Sequence, residues 1–517
     1  MLRKVRLVCA LVLFVLITAL FLDFTGTLHA WLGWLAKIQF LPAVLALNVG
    51  VIVLLVALTL LFGRVYCSVI CPLGVFQDAV SWMSGRRRKK KHRFSYSPAK
   101  QWLRYGVLAV FIVALVAGVG SLVALLAPYS SYGRIAQNLF APIYGFGNNL
   151  LAWAAEHVGS YAFYERDVWV RSLPTFAIAA LTFVVVAMLA WRNGRTYCNT
   201  VCPVGTVLGL LARFSWLKVT IDGEKCNRCG LCSKSCKAAC IDYKKHKIDY
   251  SRCVACGNCI GKCHKHAISY VHPRPAALPE NNDGGDRISH DEGVDTARRT
   301  FLVGAAMATT AAALAQEKKK VDGGLAVIED KVAPERTTPI TPPGSLSAEN
   351  MAQHCTGCQL CVSVCPNDVL RPSTDLMKLM QPTMSYERGY CRPECTKCSS
   401  VCPAGAIRPI SREDKSATQI GHAVWIGKNC IPVTDGVECG NCARHCPVGA
   451  ITMIDIPGGK RTKVKPVGNG EDDLNPILKI PAVNTARCIG CGACENLCPA
   501  RPFSAIYVEG HEMHRIV

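Results

Sequence analysis

Hydrophobic positions dominate the first 216 residues of this chain, where long apolar runs alternate with polar segments. The runs cover residues 7–22, 40–62, 105–127 and 173–191, and the last three are long enough to cross a hydrocarbon core of about 30 Å. The first run follows basic residues, and no small-residue cleavage site comes after it, which favours a membrane anchor over a removed signal peptide. The pattern therefore predicts an α-helical membrane domain of four spans over residues 1–216.

The basic residues predict how this domain is oriented. Lysine and arginine cluster at the amino terminus, in residues 86–100 and after Trp191. Since basic loops stay in the cytoplasm, we expect both ends of the membrane domain inside and residues 128–171 outside. The sequence thus indicates a multi-pass protein of a bacterial inner (cytoplasmic) membrane. The formal net charge of +22 is accounted for by these loops, so we expect no nucleic-acid partner.

The pattern changes after residue 272, where Pro, Gly, Asn and Asp predict a linker over residues 273–345. Within it, Arg298 and Arg299 precede an Ala-rich apolar run that ends at Ala315. This arrangement resembles a twin-arginine (Tat) signal, which exports folded cargo, and Ala315 would suit cleavage by signal peptidase. The alternative is an ordinary inter-domain helix, a fifth helix of the chain. We expect export, which would place the carboxyl-terminal domain in the periplasm.

Cysteines carry the candidate chemistry of the chain. Six runs of four account for 24 of the 30 cysteines, two pairs lie near the membrane, and Cys9 and Cys240 are left over. Such regular grouping indicates metal ligands, whereas a disulfide framework or zinc sites would use pairs.

Two matched runs define a ferredoxin domain over residues 217–272. In such runs three thiolates bind three corners of one [4Fe-4S] cluster, and the fourth binds the other cluster. We therefore expect Cys263 to complete the first set and Cys236 to complete the second. The two runs are Cys226, Cys229, Cys232 and Cys236, then Cys253, Cys256, Cys259 and Cys263.

Four further runs predict four more clusters in a domain over residues 346–517, which makes six in all. Two arrangements are possible. Neighbouring runs would exchange ligands in order, as in two fused ferredoxins, or the first run would pair with the fourth and the second with the third. The regular spacing of the outermost runs favours the nested arrangement. The runs are Cys355, Cys358, Cys361, Cys365; Cys391, Cys395, Cys398, Cys402; Cys430, Cys439, Cys442, Cys446; and Cys488, Cys491, Cys494, Cys498. The fold class is thus multi-domain, an α-helical membrane domain plus two α+β ferredoxin-like iron–sulfur domains.

An internal repeat lies at the inner ends of the second and fourth apolar runs. Arg-x-Tyr-Cys-x3-Cys-Pro-x-Gly occurs twice, which predicts two similar hairpins with all four thiols on one side of the membrane. These thiols would hold an additional metal centre, act as a redox pair, or simply pack in a turn. They are Cys67, Cys71, Cys198 and Cys202.

Together these features resemble the NapH family of membrane ferredoxin-type quinol dehydrogenases, with NosR- and FixG-type proteins as related families. The twin-arginine-like start followed by four runs, the second and third stretched, resembles the NapG or MauM family. The resemblance implies a NapH–NapG fusion that takes electrons from a quinol of the menaquinol type and passes them to a periplasmic reductase or cytochrome. Membrane and quinol pool would then be its partners, and quinone a transient cofactor.

The residues themselves indicate an electron-transfer protein, since no flavin or nicotinamide fingerprint is present. Whether it is an enzyme, as a component of a quinol dehydrogenase, depends on the resemblance. The alternatives are a membrane redox regulator or metalloenzyme maturation protein of the NosR/FixG type, and a cytoplasmic ferredoxin scaffold. Candidate quinol contacts come from the outer segment, where any single one is expected to be solvated: Tyr129, Tyr132, Arg134, His157, Glu165, Arg166 and Asp167.

Overall fold

The structure is a computed structural model that describes residues 2–87, 94–160, 162–272, 332–459 and 477–517. The parts before residue 273 and after residue 332 pack together. The twin-arginine-like segment and most of the predicted linker lie outside the described residues. Residues 332–345, the end of that linker, contain no helix or strand and lie along the carboxyl-terminal domain.

Helices form nearly all of the amino-terminal part. Their bounds are α1 Leu2–Leu22, α2 Thr27–Leu32, α3 Trp34–Lys37, α4 Phe40–Leu45, α5 Val49–Phe62, α6 Val65–Val69, α7 Pro72–Arg87, α8 Gln101–Val116, α9 Gly120–Leu126, α10 Pro128–Ile135, α11 Ala141–His157, α12 Leu173–Asn193, α13 Thr196–Thr200 and α14 Pro203–Leu211, with a π-helix at Ala136–Phe140 and a 3-10 helix at Ala212–Phe214.

Two helices of the described residues, Arg3–Leu22 and Leu173–Asn193, are long and apolar enough to cross a membrane. The second and third predicted spans are not continuous, so four continuous spans are not confirmed. Leu47, at φ 51°, separates α4 from α5, and the Asn48 side chain caps α5 by accepting from Val51 N at 3.3 Å. Gly118, at φ 70°, separates α8 from α9. An apolar run does not reveal such breaks, because one Asn or Gly hardly alters its hydrophobicity.

The repeated Cys motif is also a structural repeat. Gly63 ends α5 at φ 68° and Gly194 ends α12 at φ 73°, and a five-residue helix follows each. Pro72 and Pro203 then begin α7 and α14. Proline is favoured there because its missing N–H is not needed in the first turn of a helix.

Short antiparallel pairs build the two cysteine-rich domains. In residues 217–272, β1 (Lys218–Ile221) pairs with β4 (Ile268–Val271), and β2 (Ile241–Asp242) pairs with β3 (Lys247–Ile248), with α15 (Leu231–Ser235) and the 3-10 helix Ile260–Lys262 between them.

In the carboxyl-terminal domain the pairs are β5 (Leu370–Pro372) with β6 (Pro382–Met384), β7 (Thr418–Trp425) with β10 (Ile506–Ile516), and β8 (Ile451–Asp455) with β9 (Lys479–Val483). The helices are α16 Ala348–His354, α17 Leu360–Ser363, α18 Lys397–Val401, α19 Arg412–Ala417, α20 Ile431–Thr434, α21 Asn441–Arg444 and α22 Ala493–Asn496, with a 3-10 helix at Gly427–Asn429.

The two cysteine-rich domains contact opposite ends of α1. Arg3, at its start, lies beside Gly257 of the first domain. Phe21, near its end, packs beside Gly133, which also approaches the Cys358 carbonyl of the last domain. The helix has 21 residues and is therefore about 30 Å long, which matches the hydrocarbon core of a bilayer.

Strand β10 carries a histidine that makes the last domain sensitive to acid. His514 Nε2 lies 2.9 Å from Thr341 Oγ1, and burial, together with the nearby His511, lowers the pKa of His514 to about 4. Because the folded state binds this proton more weakly than the unfolded chain does, stability is present above about pH 6.5 and is lost as the pH falls towards 4. We expect His514→Gln, which keeps a polar side chain, to weaken the fall in Tm between pH 7 and pH 5. An unchanged fall in the variant would contradict this.

Candidate metal centres and a candidate substrate cleft

The structure brings the thiols of the first cysteine-rich domain together in two groups. Cys232 interacts electrostatically with Cys226 and Cys229. Cys263 is the thiol left to complete this set once Cys236 joins the other run (group A: Cys226, Cys229, Cys232, Cys263). Cys259 interacts with Cys236, Cys253 and Cys256, and these four thiols line one cavity (group B: Cys236, Cys253, Cys256, Cys259). The exchange of Cys236 into the second set is thus the arrangement found.

A fifth thiol, Cys240, also lines the group B cavity. Its Sγ lies 3.5 Å from Cys236 Sγ, and the side chain is 1% exposed. Its position does not mark it as a ligand, because the x3 spacing designates Cys236.

The carboxyl-terminal thiols pair in order, so the nested arrangement favoured by the sequence is wrong for this structure. One cavity is lined by the first three thiols of the first run and the last of the second (group C: Cys355, Cys358, Cys361, Cys402). A neighbouring cavity is lined by the complementary set (group D: Cys365, Cys391, Cys395, Cys398). Spacing alone could not decide this, because both arrangements use the same ligands.

The third and fourth runs exchange ligands in the same way. Cys446 interacts with Cys488 and Cys491 (group E: Cys446, Cys488, Cys491, Cys494). Cys498 interacts with Cys442 (group F: Cys430, Cys439, Cys442, Cys498). The Cys391 N–H donates to the Cys491 carbonyl at 2.9 Å, which places groups D and E next to each other.

Backbone amides approach the last thiol of several runs. Ala450 N donates to Cys446 Sγ at 3.2 Å, Ala505 N to Cys498 Sγ at 3.3 Å, and Ala267 N to Cys263 Sγ at 3.3 Å. Such bonds to cluster sulfurs are one means of setting reduction potentials. Four thiols around one cavity fit a [4Fe-4S] cube, which would supply one-electron transfer. Within the described residues, no three His, Cys, Asp or Glu side chains converge as a single metal ion requires.

The two membrane pairs form a further group (group M: Cys67, Cys71, Cys198, Cys202). All four thiols are buried, and each repeat interacts electrostatically with the other. Arg64 and Arg195, both fully buried, bond across the repeat: Arg64 Nη2 donates to the Cys198 carbonyl at 3.3 Å, and Arg195 Nη1 donates to the Cys67 carbonyl. Both arginines belong to the repeated motif, but the motif alone does not predict that they bond across the two repeats.

Polar residues connect group M to the groups on either side. Arg64 interacts electrostatically with Cys253 of group B as well as with Cys198. On the other side, Tyr197 interacts with Cys198 and with Arg134, and Arg134 interacts with Cys358 of group C. Groups B, M and C therefore follow one another through the protein.

A cleft lies between the outer segment, the ends of two long helices and group C. Its apolar wall includes Phe21 near the end of α1 and Phe176 near the start of α12. Its polar wall includes Asn138, Asp167 and Gln359, and Gln359 lies between two thiols of group C in sequence. The π-helix that carries Asn138 is a feature frequently found at functional sites.

The outer-segment residues named from the sequence fall into two sets. Tyr129, Tyr132 and Arg134 are buried, so a solvated position is wrong for them. Arg166 and Asp167 line the cleft, whereas His157 and Glu165 are exposed and do not. Gln359 was not predicted, because in the sequence it is only one of the two residues between Cys358 and Cys361.

Two family models match the chain. A model described as a 4Fe-4S binding domain matches residues 44–91 and 173–221, which contain the two repeats of group M. A model described as a 4Fe-4S dicluster domain matches residues 354–406 and 436–501. The first match contains the first two cysteine runs, and the second contains the fourth run and the third run without Cys430.

Curated relatives are ferredoxin-type proteins. The methylamine utilization ferredoxin-type protein MauN of Paracoccus denitrificans is 25% identical over 208 residues, 40% of this chain and 57% of that protein. The ferredoxin-type protein NapH of Escherichia coli is 28% identical over 198 residues, 38% of this chain and 55% of that protein, so the chain spans little more than half of each. MauM of Methylobacillus flagellatus is 30% identical over 178 residues, 34% of this chain and 70% of that protein. No solved structure matches.

The grouped thiols and the matched models define an iron–sulfur electron-transfer protein of the ferredoxin type. Within that class, the chain belongs to the NapH/MauM-type ferredoxin-type proteins, as the sequence resemblance predicted. Its interpretation as a fusion with a NapG partner stays a prediction.

Proposed function

We propose that this chain oxidises a membrane quinol in the cleft beside group C and delivers the electrons to an acceptor outside the membrane. Six [4Fe-4S] clusters, held by groups A to F, would supply the one-electron steps. The observation that carries the proposal is the direct contact of an apolar cleft with a loop of cluster ligands.

The position of the cleft favours a lipid-soluble substrate. Phe21 and Phe176 come from the two helices that are long enough to cross a membrane, and they line the cleft where α1 ends and α12 begins. A quinol that diffuses in the hydrocarbon core can reach such a site without crossing water. Binding pockets of this kind combine an apolar lining with a few polar groups that fix orientation.

The Gln359 side chain offers a buried amide donor to the cleft. Its side chain is 2% exposed, and its Oε1 accepts from Asn138 Nδ2 at 3.0 Å. Its Nε2 has no hydrogen-bond partner among the described residues, which is costly for a buried donor. A quinol oxygen in the cleft would accept from this amide and be held beside Cys358 and Cys361.

Asp167 is suited to take up the protons. Each quinol that becomes quinone releases two electrons and two protons, so a base must lie at the cleft. Asp167 is exposed, so it can pass protons to water. Two cationic side chains, Arg166 and Arg171, line the same cleft.

Two observations support an acceptor on the side of the membrane opposite to the first cysteine-rich domain. The two cysteine-rich domains contact opposite ends of α1, whose length of about 30 Å matches a bilayer core. Groups C to F lie in the last domain, where groups D and E are next to each other, and they would conduct electrons towards an exported reductase or cytochrome. The twin-arginine-like segment is consistent with this direction.

Replacing Asp167 by Asn tests the proposal. We expect Asp167→Asn to slow reduction of the clusters by a reduced menaquinol analogue about tenfold or more, since general bases contribute roughly 10²–10⁴. The measurement is freeze-quench EPR on anaerobic membranes. Reduction by dithionite, which needs no base, should be unchanged.

Glu165→Gln is the matched control, because Glu165 is exposed on the same segment and does not line the cleft. It should reduce at the wild-type rate. A wild-type protein with its full iron and no response to the quinol would refute the proposal and favour the regulator or maturation alternative.

A further inference from the structure

We propose that group M holds a seventh iron–sulfur centre, shared by the two repeats, which connects the clusters of the first domain with those of the last. Each repeat supplies two thiols, so neither can hold a four-ligand centre alone. The matched 4Fe-4S model covers each repeat separately, whereas the structure brings the two pairs together.

Hydrogen bonds and close backbone packing define the cage around group M. Gly205 N donates to Cys202 Sγ at 3.3 Å, and Gln77 Nε2 donates to Cys198 Sγ at 3.2 Å. A Cβ at Gly74 would lie 2.3 Å from the Cys67 carbonyl oxygen, and one at Gly205 would lie 2.4 Å from that of Cys198. At equivalent positions, the glycines therefore let each repeat fold closely onto its own first cysteine. They also leave room for the arginine of the other repeat, since the same Cβ atoms would lie 3.2 Å from Arg195 Nη1 and 2.9 Å from Arg64 Nη2.

The charges around the cage favour an anion within it. Arg64 is fully buried and bonds to Asn199 Oδ1 and the Ser251 carbonyl, and no carboxylate pairs with it among the described residues. Arg195 is also fully buried and shares Asp78 with Arg6 and Lys237. An uncompensated buried charge is strongly destabilising. Four thiolates around an iron–sulfur core carry a net negative charge, and they would balance this positive surplus.

Two of the other interpretations of the four thiols supply no negative charge at this position. Neutral packing thiols and a disulfide carry no charge, and all four cysteines are free. A single metal ion needs closely converging ligands, and the described residues contain no such group. An iron–sulfur core is larger, and four cysteines can hold either two or four irons.

The position of the group gives the centre its role. Arg64 lies between groups B and M, and Tyr197 with Arg134 lies between groups M and C. The centre would gain one electron from the reduced cluster on one side and lose it to the oxidised cluster on the other, and no bond or proton moves. Electrons could then cross the membrane between the two domains.

Counting clusters tests the proposal without any variant. Native mass spectrometry of the anaerobically purified full chain should show the mass of seven clusters, and a limit of six in fully loaded protein would overturn the proposal.

A double variant locates the centre. Cys67→Ala with Cys198→Ala removes one thiol from each repeat, and we expect it to lose about two or about four irons with the matching sulfide. Cys9→Ala, an exposed thiol of α1, is the control and should lose none. Unchanged iron in the double variant would overturn the assignment. Should the double variant not fold, the mass of the wild-type protein still decides.

The relay role has its own readout, which rests on the proposed quinol oxidation. After mixing with a menaquinol analogue, the double variant should still reduce groups C to F, while the EPR signals of groups A and B no longer appear on that timescale. Reduction of all groups at the wild-type rate would overturn the relay even if the quinol site stands.

Discussion

Removing Cys402 together with Cys355 will cost the protein no more iron than removing Cys355 alone. Both thiols line the group C cavity, although they come from different runs. Each variant destroys the same cube, so each should lose about four irons. We would measure iron and acid-labile sulfide per chain in anaerobically purified protein carrying Cys355→Ala, alone and with Cys402→Ala.

The matched comparison replaces Cys355 and Cys498, again two thiols. Cys498 interacts with Cys442 in group F, so this pair of substitutions damages two cubes and should lose about eight irons. The nested arrangement predicts the reverse, because there Cys498 completes the cluster of Cys355. Equal losses in the two double variants would contradict both arrangements and would indicate that unfolding, rather than ligand loss, controls the iron content.

This contrast shows what the spacing of cysteines can determine. The x2-x2-x3 spacing identifies the ligands, because one short loop must reach three corners of a cube. It does not identify which distant thiol reaches the fourth corner, since that depends on how two loops pack. In the first domain there is one other run to choose from, and the predicted exchange of Cys236 is the arrangement found. In the last domain there are three, and the regularity of the outermost runs pointed to the wrong one.

The membrane part likewise combines features that the sequence predicts with features that only the structure reveals. Two apolar helices follow directly from the hydrophobic pattern, but Gly118 and Asn48 break the other two runs by backbone conformation and capping. The repeat was visible as a repeated motif, whereas its crossed bonds from Arg64 and Arg195 required the two halves to face each other. Of the cleft, the sequence predicted Arg166 and Asp167 but not Gln359, because Gln359 and Asp167 are about 190 residues apart in the chain.

Asp78 is the carboxylate on which this packing depends most. It lies 2.8 Å from Arg195 Nε, 2.9 Å from Lys237 Nζ and 3.4 Å from Arg6 Nη1, so it ties together α1, α7, the second repeat and the first ferredoxin domain. We expect Asp78→Asn to destabilise the protein by about 3–5 kcal/mol, since it leaves buried cations without a partner. The measurement is the thermal unfolding of the full chain in detergent.

The charge argument can be separated from a simple loss of packing. Adding Lys237→Gln to Asp78→Asn removes one of the stranded cations, and it should return part of the lost stability even though a second side chain has changed. Asp222→Asn is the control, because its carboxylate pairs with Lys225 at 3.1 Å on the exposed surface and should have no measurable effect. If the double variant is less stable than Asp78→Asn alone, then Asp78 acts through its hydrogen bonds and shape, and the surplus positive charge around group M is compensated elsewhere.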